Sequence, residues 1–278
     1  MINARGLLQF LIGILFLAAV MLALYAGWLE PSSLRLSAYS VSQASPQLKG
    51  LRIAVISDLH GGSHYIDAAK IERVVAMTNA AKPDLVLLTG DYMITGVLGG
   101  RYMPIEAMAA RLKRLRAPLG VYAVLGNHDN WDDPGHIAAV LRQAGIPVLE
   151  NGHRMLPSPR QDVALAGISD QFSTKSNPDE ALAGIKGPAI CFSHSPDIFP
   201  LLPATCALTI AGHTHGGQVW LPLLGRPAVA GVSRYGQKYA IGAIHEGGKT
   251  LFVSSGIGTS MLPLRFGVPP EISLLTLR

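Results

Sequence analysis

Five short polar clusters, each placed directly after an apolar run of strand length, constrain this chain more than any other feature. They are Asp58-Leu59-His60, Gly90-Asp91, Gly126-Asn127-His128-Asp129, His194, and Gly212-His213-Thr214-His215. The runs before them are Val55-Ile56-Ser57, Leu85 to Thr89, Val121 to Leu125, Ile190-Cys191-Phe192, and Leu208 to Ala211. Short apolar runs rich in β-branched residues read as buried strands. If these strands are parallel neighbours, all five clusters emerge at one end of one sheet. Open α/β sheets place their sites at that end.

The spacing between the runs supports this. Helical stretches separate them: Ile66 to Ala80, Pro104 to Arg116, Pro134 to Ala144, and Pro178 to Ile185. In the second, Ile105, Met108, Ala109, Leu112 and Leu115 recur at the spacing of an amphipathic helix. Pro104 and Pro134 suit first helical turns, and Asp133 suits an N-cap. Strands alternating with helices predict an α/β domain with a mainly parallel sheet. After residue 216 glycines punctuate short β-type runs, with Gly247-Gly248 as a hairpin turn. That half predicts a second, more antiparallel sheet stacked on the first. Loops over 92–103, 170–178 and 221–237 are expected to shape a pocket where they lie on the cluster side.

The N-terminus is of another kind. Leu7 to Trp28 contains no charged residue, and Gln9 is its only strongly polar side chain. About 20 apolar residues cross a bilayer as a helix, and Tyr25 and Trp28 sit where an interfacial aromatic belt would. A cleaved signal peptide has a shorter apolar core and small residues before the cut. Cuts after Ala26 or Ala23 would place Leu24 or Met21 where a small residue belongs. The expectation is an uncleaved transmembrane anchor over 7–28, a linker over 29–49, and a catalytic domain over 50–278. The α-amine and Arg5 favour an N-in orientation, with the domain outside the cytoplasm, although Arg35 weakens the contrast.

The net charge of +5 is dispersed. Arg111, Lys113, Arg114 and Arg116 form its densest group, read as a solvated helix face or a surface for anionic lipid. No basic patch interleaved with aromatics indicates a nucleic-acid partner. Cys191 and Cys206 are too few for a disulfide framework. They are either a single bridge between neighbouring strands or two buried thiols.

Asp, His and Asn side chains gathered at one sheet end suit a pair of divalent ions. Ions about 3.5–4 Å apart need a bridging ligand, and a carboxylate has two oxygens to offer. Such a pair turns a water into a hydroxide at neutral pH and clamps a phosphoryl oxygen for in-line attack. A His beside such a centre can serve the departing oxygen.

The full series Asp58-x-His60, Gly90-Asp91, Gly126-Asn127-His128-Asp129, His194 and Gly212-His213-x-His215 resembles the motif set of the calcineurin-like metallophosphoesterases. The resemblance covers roughly residues 50–278. Gly216-Gly217-Gln218 and the ending Leu262-Pro263-x-Arg265-Phe266 resemble a bacterial, membrane-anchored phosphodiesterase branch, close to enzymes that cleave UDP-2,3-diacylglucosamine.

The resemblance implies a four-layer α/β/β/α sandwich of two mixed β-sheets flanked by helices. It implies two divalent metal ions per chain, manganese, zinc or iron. Asp58, His60 and His215 would hold one ion, and Asn127, His194 and His213 the other, with Asp91 bridging. His128 would stand near the leaving group with Asp129 as its orienting partner. Among the remaining candidates, His64 and Arg265 are expected to bind substrate, while His136, His153 and His245 are expected to be structural or exposed.

The function expected is hydrolysis of a phosphodiester or pyrophosphate bond in a membrane-associated substrate, lipid- or nucleotide-linked, at the bacterial cytoplasmic membrane. A pyrophosphatase of the UDP-2,3-diacylglucosamine type is the alternative within that class. A non-catalytic metal-binding scaffold is the alternative outside it.

Overall fold

The computed structural model describes residues 4–43, 45–94 and 97–278. The apolar N-terminus forms helix α1 (Ala4–Leu24), which runs on through a wider π turn (Tyr25–Leu29) into the short α2 (Glu30–Ser32). The whole of Ala4–Ser32 is long and apolar enough to cross a membrane, and its most apolar stretch is not buried by any of the described residues.

Next comes strand β1 (Arg35–Val41), within the stretch expected to be a linker. That reading fails for these residues because β1 pairs in parallel, residue by residue, with β11 (Glu271–Leu277) at the other end of the chain. Exposed Leu36, Ala38 and Ser40 alternate with half-buried Ser37 and Tyr39, which marks an edge strand. Residue 44 of the expected linker and residues 95 and 96 of the expected 92–103 loop lie outside the described residues.

The five strand-like runs fold as expected, but into two sheets rather than one. Strands β2 (Arg52–Ile56), β3 (Leu85–Leu88) and β4 (Val121–Ala123) are parallel neighbours in a sheet of order β1-β11-β2-β3-β4. The second sheet begins with β5 (Gly152–Met155) and β6 (Ala164–Gly167). It continues with β7 (Ala189–Phe192), β8 (Cys206–Ala211), β9 (Gly242–Glu246) and β10 (Lys249–Val253), in the order β5-β6-β7-β8-β10-β9. Only its two edge strands run antiparallel; β6, β7, β8 and β10 are parallel. The expectation of a more antiparallel sheet holds only for the β9–β10 hairpin, whose turn is Gly247-Gly248.

The layers follow from the two-residue period of the strands. Ile53, Val55, Leu85 and Leu87 point between the sheets, where they meet Leu165, Ile190, Phe192, Leu208, Ile210 and Phe252. Ala54, Ile56, Val86 and Leu88 point the other way and pack under helices α3 (Ala68–Ala80), α4 (Ile105–Leu112) and α6 (Pro134–Gln143). The side chain of Asp133 accepts from the His136 N–H, as an N-cap should. On the far side of the second sheet, α7 (Pro178–Leu182) and a 3-10 segment (Pro196–Leu201) cover Ala166, Cys191 and Cys206. The four-layer sandwich is therefore the fold. Cys191 and Cys206 form a disulfide joining β7 to the start of β8, with Cα atoms 5.5 Å apart.

Candidate metal centre

The parallel strands deliver the clusters to one place. Ile56, Leu88 and Ala123 end side by side in the first sheet, as Phe192 and Ile210 do in the second. The two sheet ends meet where the His213 N–H donates to both Asp58 oxygens, each at 3.2 Å.

The backbone there is strained. Asp58, His60, Asp91, His213 and His215 all have φ between 45° and 68°. A side chain in that region costs on the order of 1–3 kcal/mol, so neighbouring groups must impose it. Asp58 N–H donates to Gly90 O, and His60 N–H to Asp91 O, at 3.1 and 2.9 Å. Two motif glycines permit this closeness. A Cβ on Gly126 would lie 2.1 Å from Asp91 Oδ1, and one on Gly212 would lie 1.8 Å from Ser57 Oγ. The glycines before Asn127 and His213 are thus steric requirements.

The polar atoms converge in two groups that share one oxygen. Around the first, His60 Nε2 lies 3.0 Å from His215 Nε2, and His215 Nε2 lies 3.4 Å from Asp58 Oδ1. Around the second, His194 Nε2 lies 3.1 Å from Asn127 Oδ1 and 3.1 Å from His213 Nδ1. Asp91 Oδ2 faces both, 3.6 Å from His60 Nε2 and 3.2 Å from His194 Nε2. Its other oxygen accepts the His128 N–H at 2.9 Å. One carboxylate oxygen placed between two ligand groups is the arrangement a bridge requires.

Main-chain carbonyls set the tautomers. His60 Nδ1 donates to Met93 O, His194 Nδ1 to Thr89 O, and His213 Nε2 to Val232 O. Each bond fixes one ring N–H on a carbonyl and turns the other ring nitrogen inward. In the second group, His194 Nε2, His213 Nδ1, Asn127 Oδ1 and Asp91 Oδ2 therefore face one another. A proton on His194 could bridge to only one of the other three at a time. A divalent cation satisfies all four, so the residues fit the metal that the motif series implies. Among the described residues, three sets of His and carboxylate atoms lie close enough to hold ions: Asp58, His60 and His215; His60, Asp91 and His128; and Asp91, His194 and His213.

Electrostatics follow from burial and crowding. Burial would raise the Asp91 carboxyl, but His194, His60 and His128 pull it well below the usual carboxylate range. Burial disfavours charge on His194, yet Asp91 and Asp58 lift it well above the ordinary histidine value. Burial lowers His60, His213 and His215, and pushes His128 down to about 4. His128 is therefore a neutral imidazole at pH 7.

Three expectations need correction. Asp129 is buried, and its described hydrogen bonds all go to the main chain. Oδ2 accepts from Asp91 and Gly126, and Oδ1 from Tyr92 and Met93. It clamps the Asp91 loop to α5 (Asn127–Trp131), and none of its described hydrogen bonds reaches the His128 ring. Arg265 is wholly buried and donates to the carbonyls of Gly258, Val268 and Ser255, with Nη2 3.4 Å from His215 Nδ1. It props a loop and stands beside His215, with its guanidinium closed off from the cleft. His64 is exposed, and its ring edge faces Gly99 and Tyr65 instead of the cleft. His136, His153 and His245 pair with Glu106, Ala181 O and Thr250, outside the centre as expected.

Over the centre lies a cleft of about 330 Å³ lined by Asp91, Asn127, His128, His213 and His215. Trp131, Phe172, Met261 and Gln218 also line it; sequence reasoning missed Trp131 and Met261, named Gln218 only as a motif member and reached Phe172 only through its loop. The loops over 170–178 and 221–237 do contribute, through Phe172, Ala228 and Val232. Trp131 stands edge-on to His128, with ring centres 5.1 Å apart, and Phe172 tilts over His213 at 5.1 Å.

Comparisons with known proteins agree with this geometry. The chain is 30% identical over 264 residues to the metallophosphoesterase YkuE of Bacillus subtilis (strain 168), covering 91% of this chain and 89% of that one. It is 30% identical over 255 residues to the phosphodiesterase YaeI of Escherichia coli (strain K12), covering 90% and 89%. It is 26% identical over 319 residues to the UDP-2,3-diacylglucosamine pyrophosphatase LpxG of Chlamydia trachomatis, covering 93% of each. Residues 51–217 match the model of the calcineurin-like phosphoesterase family. The chain belongs to the calcineurin-like phosphoesterases and is a hydrolase of phosphoesters.

Proposed function

We propose that this chain is a single-pass, membrane-anchored phosphodiesterase or pyrophosphatase with a dinuclear metal centre. Residues 7–28 are its anchor and 50–278 its catalytic domain, with β1 fastening the connection between them. Asp58, His60 and His215 hold one ion, Asn127, His194 and His213 the other, and Asp91 both. The observation that carries this reading is the single Asp91 oxygen facing both ligand groups.

When bound, the two ions supply Lewis acidity at the phosphoryl oxygen and a nucleophile drawn from water at neutral pH. The chain supplies the rest. His128 lines the cleft as a neutral imidazole and offers its ring N–H to the departing oxygen. Asp129 and the Met93, Thr89 and Val232 carbonyls hold the ligands in register. Trp131, Phe172 and Met261 give the cleft apolar walls that exclude water and suit a substrate with an apolar or ring-bearing part.

The Cys191–Cys206 disulfide supports a domain on the outer side of the bacterial cytoplasmic membrane, because disulfides persist in oxidising compartments. A UDP-2,3-diacylglucosamine-type pyrophosphatase, the activity in the name of LpxG, would need the domain in the cytoplasm. The disulfide disfavours that second reading.

The test is hydrolysis of bis-p-nitrophenyl phosphate beside p-nitrophenyl phosphate by the full chain in detergent with manganese, for wild type, Asp91→Ala and His128→Ala. Diester turnover lost in both variants supports the proposal. Cleavage of the monoester alone would redirect it to a phosphatase. Intact activity in His128→Ala would remove His128 from the chemistry, and metal binding without turnover of either ester would favour the scaffold.

A further inference from the structure

The junction between the anchor and the domain is rigid. The main-chain N–H of Arg265 donates to Ala26 O at 2.9 Å, and the Tyr65 hydroxyl donates to Gly27 O at 2.8 Å. The buried Glu30 carboxylate accepts the N–H groups of Gly267 and Val268. Lys70 Nζ donates to the carbonyls of Ser32 and Ser33 at 2.7 and 2.6 Å. The Tyr25 ring stands edge-on to Phe266.

The apolar stretch from Leu7 to Leu24 rises about 27 Å as a helix, close to the roughly 30 Å of a hydrocarbon core. Tyr25 to Glu30 then lie at head-group level, and residues 265–268, which they touch, lie there too. The helix end is fixed on the domain, so the domain's height and tilt against the bilayer are fixed with it.

Two loops continue outward from residues 265–268. Trp220 N–H donates to Phe266 O at 2.7 Å, and beyond it Leu221 and Gly225 pair to close a turn with Leu223-Leu224 at its tip. The second loop carries Met261 and Leu262, and Leu98 N–H donates to Met261 O at 3.0 Å. Their large apolar side chains face outward: Leu223 is 106% exposed, Met261 72%, Leu98 and Leu224 66%, Leu262 52%, and Trp220 44%. Apolar side chains gathered like this on one surface mark an interaction site. Met261 belongs both to this surface and to the wall of the metal cleft.

We propose that the Leu223-Leu224 and Met261-Leu262 loops dip into the interfacial layer of the bilayer beside the anchor. The mouth of the cleft then opens at the membrane surface, and the centre takes phosphoester head groups of lipids whose acyl chains stay in the bilayer. The substrate part of this inference rests on the phosphoesterase and anchor readings above; the docking part rests on the anchor contacts and the exposed loops.

The test uses the full chain reconstituted in phosphatidylcholine–phosphatidylglycerol vesicles. Cys191 and Cys206 are joined, so Leu223→Cys adds a single reactive thiol for an environment-sensitive fluorophore. The expected result is blue-shifted emission, quenched by lipids carrying a shallow spin label and shielded from aqueous iodide. Emission quenched by iodide and not by the lipid label would overturn the docking. Protection from both quenchers that grows with protein density would assign the surface to a second copy and overturn it as well. This readout needs no catalysis, so its failure is distinct from failure of the enzymatic reading.

In parallel, the double variant Leu223→Ser and Leu224→Ser should lower hydrolysis of a vesicle-embedded lipid phosphodiester by about tenfold or more. Turnover of the soluble aryl diester should stay unchanged. Equal retention of both activities would overturn the proposal that lipid reaches the cleft through these loops.

Discussion

Asp129→Asn separates two roles for one buried carboxylate. In the structure its four acceptor bonds, at 2.8 to 3.0 Å, all go to main-chain N–H groups of Asp91, Tyr92, Met93 and Gly126. An asparagine keeps one oxygen and turns an NH2 toward the other pair of donors. Whichever way it rotates, two buried N–H groups lose their acceptor. Each such loss costs about 1–3 kcal/mol, so the substitution should destabilise the domain by about 2–6 kcal/mol. That is a large share of a typical net stability of about 5–15 kcal/mol, and recovered desolvation of the removed charge places the result toward the lower end. The assay is urea unfolding of the full chain in detergent, followed by near-UV circular dichroism, with diester turnover measured across pH on the folded fraction. A midpoint shift worth less than about 1 kcal/mol, with a displaced pH profile, would refute the clamp and restore Asp129 as the orienting partner of His128.

Other perturbations read other parts of the structure. Burial raises the Glu150 carboxyl, which accepts the Leu125 N–H. A carboxyl with a raised folded-state pKa adds most stability below its unfolded value and loses it as pH rises through the folded value. Glu150→Gln keeps an acceptor without the charge, so it should raise Tm at pH 8 and leave it unchanged near pH 4; a destabilised variant at pH 8 would contradict this. Cys191 and Cys206 are 15 residues apart, so replacing both with Ser, or reducing the bridge, should cost about 3 kcal/mol in chemical denaturation; an unchanged midpoint would show that the bridge adds nothing. Arg265→Lys cannot reproduce the fork of donors to the carbonyls of Ser255, Gly258 and Val268. It should lower Tm with KM for an aryl diester unchanged, whereas a raised KM at unchanged Tm would return Arg265 to the substrate. Removing metal with a chelator should lower Tm, and manganese at 100 times Kd should restore about 2.7 kcal/mol per site; identical melting in both conditions would mean that the folded centre binds no ion.

The polar half of the centre was legible in the sequence because its chemistry and its topology coincide. A buried Asp or His directly after an apolar run has few explanations, and Asp58, Asp91, Asn127, His194 and His213 all fall at ends of parallel strands. The glycines beside them were legible as motif members, but their reason, a 1.8 to 2.1 Å steric conflict for any Cβ, needs coordinates.

What stayed hidden depends on distant parts of the chain. Strand β1 is short, half polar and exposed, and it becomes a strand only by pairing with β11 at the far end of the chain. The glycine-rich stretch after residue 216 does hold the β9–β10 hairpin, yet β10 also joins β8 in parallel, so the inner strands β6, β7, β8 and β10 all run parallel. Asp129 follows His128 in sequence, but neighbours on a helix do not face each other, and its carboxylate turns to the Asp91 loop instead. Arg265 reads as a substrate-binding cation by its charge, and only the ring of carbonyls around it shows why it is buried. Trp131 ends a five-residue helix and Phe172 and Met261 lie in loops, so none belongs to a run long enough to show a period.

The most direct test of the dinuclear centre is electron paramagnetic resonance of the purified full chain loaded with manganese, with metal content measured on the same sample. A pair of ions bridged by Asp91 predicts two manganese ions per chain and an exchange-coupled spectrum, collapsing to an isolated-ion spectrum with reduced metal content in Asp91→Ala. One ion per chain, or two uncoupled ions indifferent to Asp91→Ala, would contradict the account.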